Sequence, residues 1–281
     1  MEWYWYIVIN VFVFSLATTY QRVVLKNSPD PVVYSIVNGL VGGLILLSYG
    51  LYVGFRVPNL QDISLNLILM SVLLGIGNML TFSGLKKVDA SEFTVLFSTR
   101  AIWSVVAAIL ILGESFSIKQ VAGAALIISS VFLVSWKKKS FRLTEGEMLT
   151  LAAAALFGLE FVNDTFLLNK VDLFFYLPLI FLFPAIFAGV LNYKKMLRIQ
   201  KIVSMKDFLQ LSFLALLFAI SATATLTAYT KGHNAAQIAI LNQTSTILIV
   251  FLGIIFLKER SHMKLKIIGA VISLIGVFLV R

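Results

Sequence analysis

The chain has 281 residues, 59% of them hydrophobic and 13% charged, with a mean hydropathy of +0.95. A soluble domain is nearer one quarter charged, so the composition excludes a soluble globular protein and points to an all-α integral membrane protein. The formal net charge of +10 would suggest a nucleic-acid partner in a soluble chain, but here it is read as basic loops against a lipid bilayer.

Met1-Glu2-Trp3-Tyr4 lacks the basic n-region and small-residue cleavage site of a signal peptide and is predicted to open the first span with an aromatic belt. Ten apolar segments follow, at 3–24, 32–55, 64–85, 90–112, 118–136, 147–169, 173–193, 207–230, 235–257 and 265–280. The first carries a polar stripe of Ser15, Thr18, Thr19 and Arg22, and the third carries Asn78 and Thr81. The stretch from Asp89 to Glu114 reads as one helix, about 35 Å long, that places Arg100 roughly 15 Å from either water phase. A guanidinium at that depth costs between ~3 and ~15 kcal/mol against lipid, so it must face protein, water or ligand. Glu92, Leu96, Thr99, Arg100 and Trp103 share one helical face. The fifth and tenth segments are short and aliphatic, with Gly123, Gly269 and Gly276 spaced for close packing. Glu160, Asn163 and Asp164 form one face of the sixth, and Pro178 and Pro184 are predicted to kink the seventh. The basic stretch 193–207 interleaves Met196, Leu197, Ile199, Ile202 and Val203, and reads either as a short surface helix or as an ordinary loop. Ser221, Thr225 and Tyr229 mark the eighth segment; Gln237, Asn242, Thr244 and Ser245 mark the ninth.

A shift of about 145 residues lays Asp89-Ala90-Ser91-Glu92 over Asn234-Ala235-Ala236-Gln237 and pairs Leu96 with Leu241, Thr99 with Thr244 and Glu114 with Glu259. Gly123-Ala124 then matches Gly269-Ala270. The chain is therefore predicted to hold two five-helix repeats, 1–136 and 147–281, joined by a basic linker at 137–146. An odd number of spans per half makes the repeats inverted, a 5+5 architecture with a central cavity between halves. Lysines and arginines cluster after odd-numbered spans, from Arg22 and Lys26 through Lys137–Lys139 to Lys264 and Lys266, whereas only Arg56, Lys119, Lys170, Lys231 and Arg281 follow even-numbered ones. The positive-inside rule then puts both termini outside.

Lipid satisfies none of the polar groups inside these segments, so their faces converge on a common interior near the midplane. The substrate-binding candidates are Arg100, Trp103, Glu160, Asn163, Asp164, Asn78, Thr18, Tyr229 and Asn242, with Glu160 and Asp164 also the proton-coupling candidates. Arg100 either pairs with one of these acids or holds a substrate carboxylate; the acid left over would take an amine or carry a proton. The threonines have the alternative of their own backbone carbonyls, the asparagines that of interhelical bonds, and Trp103 and Tyr229 that of packing. No cysteine is present, and His233 and His262 both lie beside loops, so no metal site, cofactor or thiol chemistry is expected. Neither a Gly-x-Ser-x-Gly nor a phosphate-binding loop occurs; an intramembrane enzyme is the weakest reading.

Leu112-Gly113-Glu114 and Leu257-Lys258-Glu259 end helices that are followed by Gly-Ala-rich spans, and Phe157-Gly158-Leu159-Glu160-Phe161-Val162 lies near the start of the second half. In these features, over essentially its whole length, the chain resembles the drug/metabolite transporter superfamily, EamA type. It departs from that pattern in having Ala101 and Thr246 where the family places prolines in the fourth and ninth spans. The resemblance implies a secondary transporter, often an exporter, of amino acids or other small metabolites, multi-pass in the cytoplasmic or inner membrane. It also implies cytoplasmic termini, opposite to the charge partition. Amino acids or similar zwitterions fit one cation facing two acids; a passive channel and efflux of cationic compounds are the alternatives, with a proton or cation as coupling ion and a monomer or homodimer as the assembly.

Overall fold

The computed structural model describes residues 2–112, 117–137, 140–141, 143–232, 241–242 and 244–280. Glu114 and Asn234 to Gln237, which carry part of the repeat match, lie outside them. The described chain is helical apart from an antiparallel ladder in the linker that sets Trp136 opposite Phe141 and Lys137 opposite Ser140. The helices are α1 (Trp3–Lys26), α2 (Pro31–Val53), α3 (Ser64–Lys87), α4 (Ala90–Phe97), α5 (Arg100–Leu112), α6 (Ile118–Ser135), α7 (Glu145–Leu168) and α8 (Leu173–Leu191). There follow the single-turn α9 (Tyr193–Met196) and α10 (Ile199–Ile202), then α11 (Met205–Gly232), α12 (Thr244–Ile255) and α13 (Met263–Val280). Six of them, α1, α2, α3, α7, α8 and α11, are long and apolar enough to cross a membrane, and the apolar stretches Ile118–Leu133 and Thr244–Ile255 are shorter. Bulky apolar side chains cover the outside: Phe12 is 62% exposed, Leu110 79% and Val190 67%. Water would not tolerate so large an apolar surface; lipid does.

Local sequence sets most of the helix starts. The Asp30 carboxylate accepts from the amides of Val32 (2.9 Å) and Val33 (3.2 Å) ahead of Pro31, which is compatible with the first helical turn. Thr144 and Glu147 make a reciprocal capping box on α7. Asp172 caps α8 through the Phe174 amide (2.9 Å), and Ser204 and Asp207 cap each other at the start of α11. Helix α8 runs on past both Pro178 and Pro184. The 193–207 stretch forms two single turns, and Met196, Ile199, Ile202 and Val203 pack against the main core cluster.

The Asp89–Glu114 stretch is not one helix. It breaks at Ser98 and Thr99, between α4 and α5, immediately before Arg100. The hydroxyls of Ser98, Thr99 and Ser104 donate to the carbonyls three residues back, Val95 (2.6 Å), Leu96 (2.8 Å) and Ala101 (2.8 Å). The backbone tightens to the same spacing, with Thr99 N to Leu96 O at 3.2 Å and Ala101 N to Ser98 O at 3.1 Å. Side-chain oxygens that compete for backbone carbonyls bend or interrupt a helix. Thr244, the repeat partner of Thr99, makes the same bond to the Leu241 carbonyl (2.7 Å).

Helix pairing joins the two repeats rather than separating them. Helix α1 packs on α11 and α12, α7 on α3 and α5, α2 on α8, α4 on α12 and α6 on α13. Exchanging the halves leaves that set of pairs unchanged. Small residues permit the closest approaches. A Cβ on Gly276 would sit 2.9 Å from the Gly123 carbonyl oxygen, and one on Gly158 would sit 2.5 Å from both the Arg100 carbonyl oxygen and the Trp103 Cβ.

Two stability predictions follow from this packing and capping. Gly158→Ala forces α7 off α5 and should lower the melting temperature of the purified protein, since overpacking costs about 1–3 kcal/mol and outweighs the gain in helix propensity. Gly189→Ala is the control: its Cβ meets only Ile36 Cγ2 at 3.7 Å, so it should melt at or above wild type. Asp30 lies outside the spans; burial raises its carboxyl, but the Lys195 bond (2.7 Å) and the Val33 and Val32 amides outweigh this and hold it below its ordinary value of 3.8. Asp30→Ala should cost about 1 kcal/mol. Because the folded carboxyl titrates below the unfolded one, that difference is complete above pH 3.8 and closes as pH falls below it.

Candidate functional site

The polar interior of both halves opens onto one cavity of about 780 Å³, a size suited to a small-molecule ligand. Helices α4 and α5 present Phe93, Phe97, Arg100 and Ser104 to it at helical spacing. This stripe is one residue on from the face predicted by polarity. Glu92, Leu96 and Thr99 are buried without bordering the cavity, and Trp103 is 42% exposed and also lies off it. Polarity is a poor marker of the cavity side here, because the Thr99 hydroxyl is already satisfied by its own helix. Arg100 sits where α5 begins, with its guanidinium carbon 5.1 Å from the centre of the Phe97 ring, a cation–π contact.

On α7, which packs directly against α5, Glu160 and Asp164 lie one turn apart and both border the cavity. Asn163 does not. It stands behind Glu160, donating to Oε1 (3.0 Å) and to the Asn66 carbonyl (3.0 Å) while its own Oδ1 accepts from the Asn66 side chain (2.7 Å). The hydroxyl of fully buried Tyr176 on α8 donates to Asp164. Each acid therefore has a supporting residue that fixes its rotamer. Asn242 borders the cavity and accepts from the Asn10 side chain (2.9 Å), whose Oδ1 in turn accepts from the Ser221 hydroxyl (2.5 Å). Thr18, Asn78 and Tyr229 also line it. Seven of the nine residues singled out in the sequence thus face one space, from both halves.

Three buried lining amides escaped the polarity patterns: Asn10, Gln21 and Asn38. Asn10 and Asn38 stand singly in apolar runs, and Gln21 precedes Arg22 at a helix end, where it reads as a solvated residue. The available signal was the cost of any lone amide inside a span.

The two ends of the cavity differ. Toward one end its lining reaches the exposed Thr165, Asn169 and Thr230; toward the other it ends on the buried Gln21, Ser35 and Phe93. The sealed end is the one that bears Lys26, Lys87 and Lys195 on the helix termini, here called the basic end. Glu259, which follows α12, reaches across to the first half there and accepts from the Ala90 amide (2.8 Å), the Ser91 amide (3.1 Å) and the Ser91 hydroxyl (2.5 Å). It caps α4 from outside its own repeat. Lys266 on α13 pairs with Asp89 (2.6 Å), which also faces Arg22 (3.9 Å). Arg22 in turn donates to the carbonyls of Leu85 (2.8 Å) and Lys86. Hydrogen bonds to charged groups contribute roughly 1.5–3 kcal/mol each when buried, and the Lys195–Asp30 and Lys87–Glu145 pairs join the halves at the same end. Among the described residues the cavity is therefore closed at the basic end and open at the far end.

The groups of three or more His, Asp or Glu that a metal ion would need do not occur among the described residues. No curated protein matches the chain. A solved structure titled only as the crystal structure of a protein matches it with a TM-score of 0.63 at 15% identity, covering 96% of this chain and 94% of that one; at that identity the likeness shows the fold. The model of the EamA-like transporter family matches residues 1–136 and again 144–281. With a family match across each half and a two-repeat helical fold built for a bilayer, this chain is a multi-pass membrane protein that belongs to the EamA-like transporter family.

Proposed function

We propose that the chain is a secondary active transporter that exports small zwitterionic metabolites, amino acids being the best-fitting class, by alternating access. The supporting observation is the cavity between the repeats, whose lining includes Arg100 of one half and Glu160 and Asp164 of the other and which, among the described residues, is open at one end. Arg100 takes the substrate carboxylate through its planar fork. Glu160 or Asp164 takes the ammonium group or a coupling proton, and Tyr229 forms part of the wall. The two halves are inverted repeats of five spans, each completing its fourth or ninth crossing with the paired segments at α4–α5 and α12. The positive-inside rule places the basic end in the cytoplasm, so the cavity as described faces outward and loading from the cytoplasm requires the Glu259 clasp to open. The export sense comes from the family, not from the cavity.

A second reading is efflux of apolar cations, favoured by the eight phenylalanines that line the cavity beside two acids. Melting the detergent-purified protein against zwitterionic amino acids, organic cations, sugars and phosphorylated compounds separates the two. A ligand at 100 times its Kd adds about 2.7 kcal/mol of stability. Zwitterions should shift the melt of wild type and not of Arg100→Ala; a shift by cations alone that survives Arg100→Ala selects the second reading. Saturable counterflow in vesicles distinguishes a carrier from a channel.

The clasp has its own test. The chain lacks cysteine, so a single Ser35→Cys reports access to the sealed end. Loss of the cap costs about 1–2 kcal/mol, so adding Glu259→Ala should speed modification of that cysteine by a membrane-impermeant thiol reagent about tenfold, and only from the cytoplasmic face. An unchanged rate would show that Glu259 does not hold this end closed.

A further inference from the structure

We infer that the Glu259 clasp is a strained latch: closing the basic end holds Lys258 in a left-handed backbone conformation that opening releases. The inference rests on the clasp reading above and deepens it. Among the described residues, two that are not glycine have positive φ, Lys258 at 58° and His262 at 51°. A Cβ makes that region unfavourable, so each occurrence needs a cause. The pair brackets Glu259, Arg260 and Ser261, and both side chains are exposed. Neither conformation is therefore imposed by the packing of its own side chain.

His262 has a local cause. Its carbonyl accepts from the amides of Leu265 (2.9 Å) and Lys266 (3.1 Å), so its geometry belongs to the start of α13. Lys258 is placed differently, just past the end of α12. On one side of it Phe256 N donates to Leu252 O (2.8 Å), continuing the helical pattern. On the other side Glu259 N reaches back six residues to Gly253 O (3.1 Å). The chain reverses between these two bonds, and it does so at Lys258. That reversal brings the Glu259 carboxylate to the first amides of α4. Gly253 makes room for it, since a Cβ there would lie 2.7 Å from Glu259 Oε2. Lys266 holds the same turn from the far side, donating to the Glu259 carbonyl (3.4 Å) while it pairs with Asp89. Backbone outliers persist where their surroundings over-determine them, and they gather at switch regions. Here the groups that fix Lys258 are those of the clasp.

The sequence supplies a contrast. The shift that pairs Glu114 with Glu259 sets Gly113 against Lys258. Gly113 lies outside the described residues, so the comparison is one of residue type. Glycine enters the left-handed region as readily as any other, and lysine does not. A lysine at this point leaves the closed clasp weaker than its bonds alone would make it.

The test uses the Ser35→Cys chain in vesicles, with the impermeant thiol reagent on the side of the basic end. Lys258→Gly should slow modification about tenfold, the fold-change that corresponds to the left-handed penalty of one residue. Lys258→Ala removes the ammonium but keeps a Cβ, and should react at the rate of the parent. Added to Glu259→Ala, Lys258→Gly should change nothing, because the turn is already released. An unchanged rate in Lys258→Gly overturns the latch. Equal slowing by Lys258→Ala overturns it too, since the ammonium would then be the cause. Undiminished slowing on the Glu259→Ala background does the same, since the turn would then be a helix cap independent of the clasp. If Glu259→Ala itself leaves the rate unchanged, the clasp falls and the latch with it; if Glu259→Ala speeds modification and Lys258→Gly does not slow it, the latch alone falls. Ligand-induced melting judges the choice of solute separately from either result.

Discussion

Lipid offers no hydrogen-bond partner, and every polar atom in these helices is placed by that constraint. Three destinations are used. Ser15, Thr19, Ser98, Thr99 and Ser104 turn their hydroxyls onto carbonyls of their own helix. Asn66 with Asn163, and Asn10 with Asn242 and Ser221, are matched between helices. The third group, the ionisable side chains of Arg100, Glu160 and Asp164 and the amides of Gln21 and Asn38, lines the large space that both halves enclose. The bundle can keep these costly groups only because that space exists, so the cavity is a condition of the fold as well as a consequence of it.

The same economy explains how the halves are joined. Apolar faces pack α2 on α8 and α6 on α13, each pair spanning the two halves. Directional contacts also join the halves, within the spans through Asn66 with Asn163 and Asn10 with Asn242, and at the basic end where Glu259 caps a helix of the opposite repeat and Lys266 meets Asp89. A helix N-terminus with unsatisfied amides is a strong acceptor of a carboxylate, yet the bond is made or lost as a unit. That suits a closure with two discrete states better than a graded one. Helix α4 carries this cap at its first residues and Phe97 at its last, directly beneath Arg100. The clasp and the cavity cation are thus at the two ends of a single eight-residue helix.

Much of this was legible in the chain itself. Hydropathy gave the membrane class, and the register that paired Leu96 with Leu241 and Thr99 with Thr244 is repeated in the hydrogen bonds those residues make. Arg100, Glu160 and Asp164 stood out because a charge inside a span has few tolerable surroundings. What could not be read was orientation. Glu92 and Thr99 looked cavity-facing because they are polar, whereas the cavity is lined by Phe93 and Phe97 one residue on. Whether a hydroxyl is satisfied locally depends on rotamer and backbone spacing, which composition does not encode. Gln21 was hidden by its neighbour Arg22, whose own bonds run to the α3 carboxyl-terminal carbonyls rather than inward. The role of Glu259 was invisible for a different reason: its partners lie 168 and 169 residues away in sequence.

The interruption before Arg100 also bears on the prolines this chain lacks. A proline weakens a helix at a fixed point, by removing a donor and by steric conflict with the preceding turn. Here Ala101 and Thr246 stand near those places, and the break is made by hydroxyls instead. Ser98 and Thr99 in the first half, and Thr244 and Ser245 in the second, bond the carbonyls three residues back. A hydroxyl bond of this kind contributes about 1 kcal/mol, and the backbone amides keep partners in either geometry. The break is therefore reversible at small cost, by rotation about χ1, where a proline kink is not. The interruption that is described, beside the residue that carries the cavity cation, is bridged by these hydroxyl and backbone bonds. The interruption before Arg100 thus rests on hydroxyl bonds rather than on a proline.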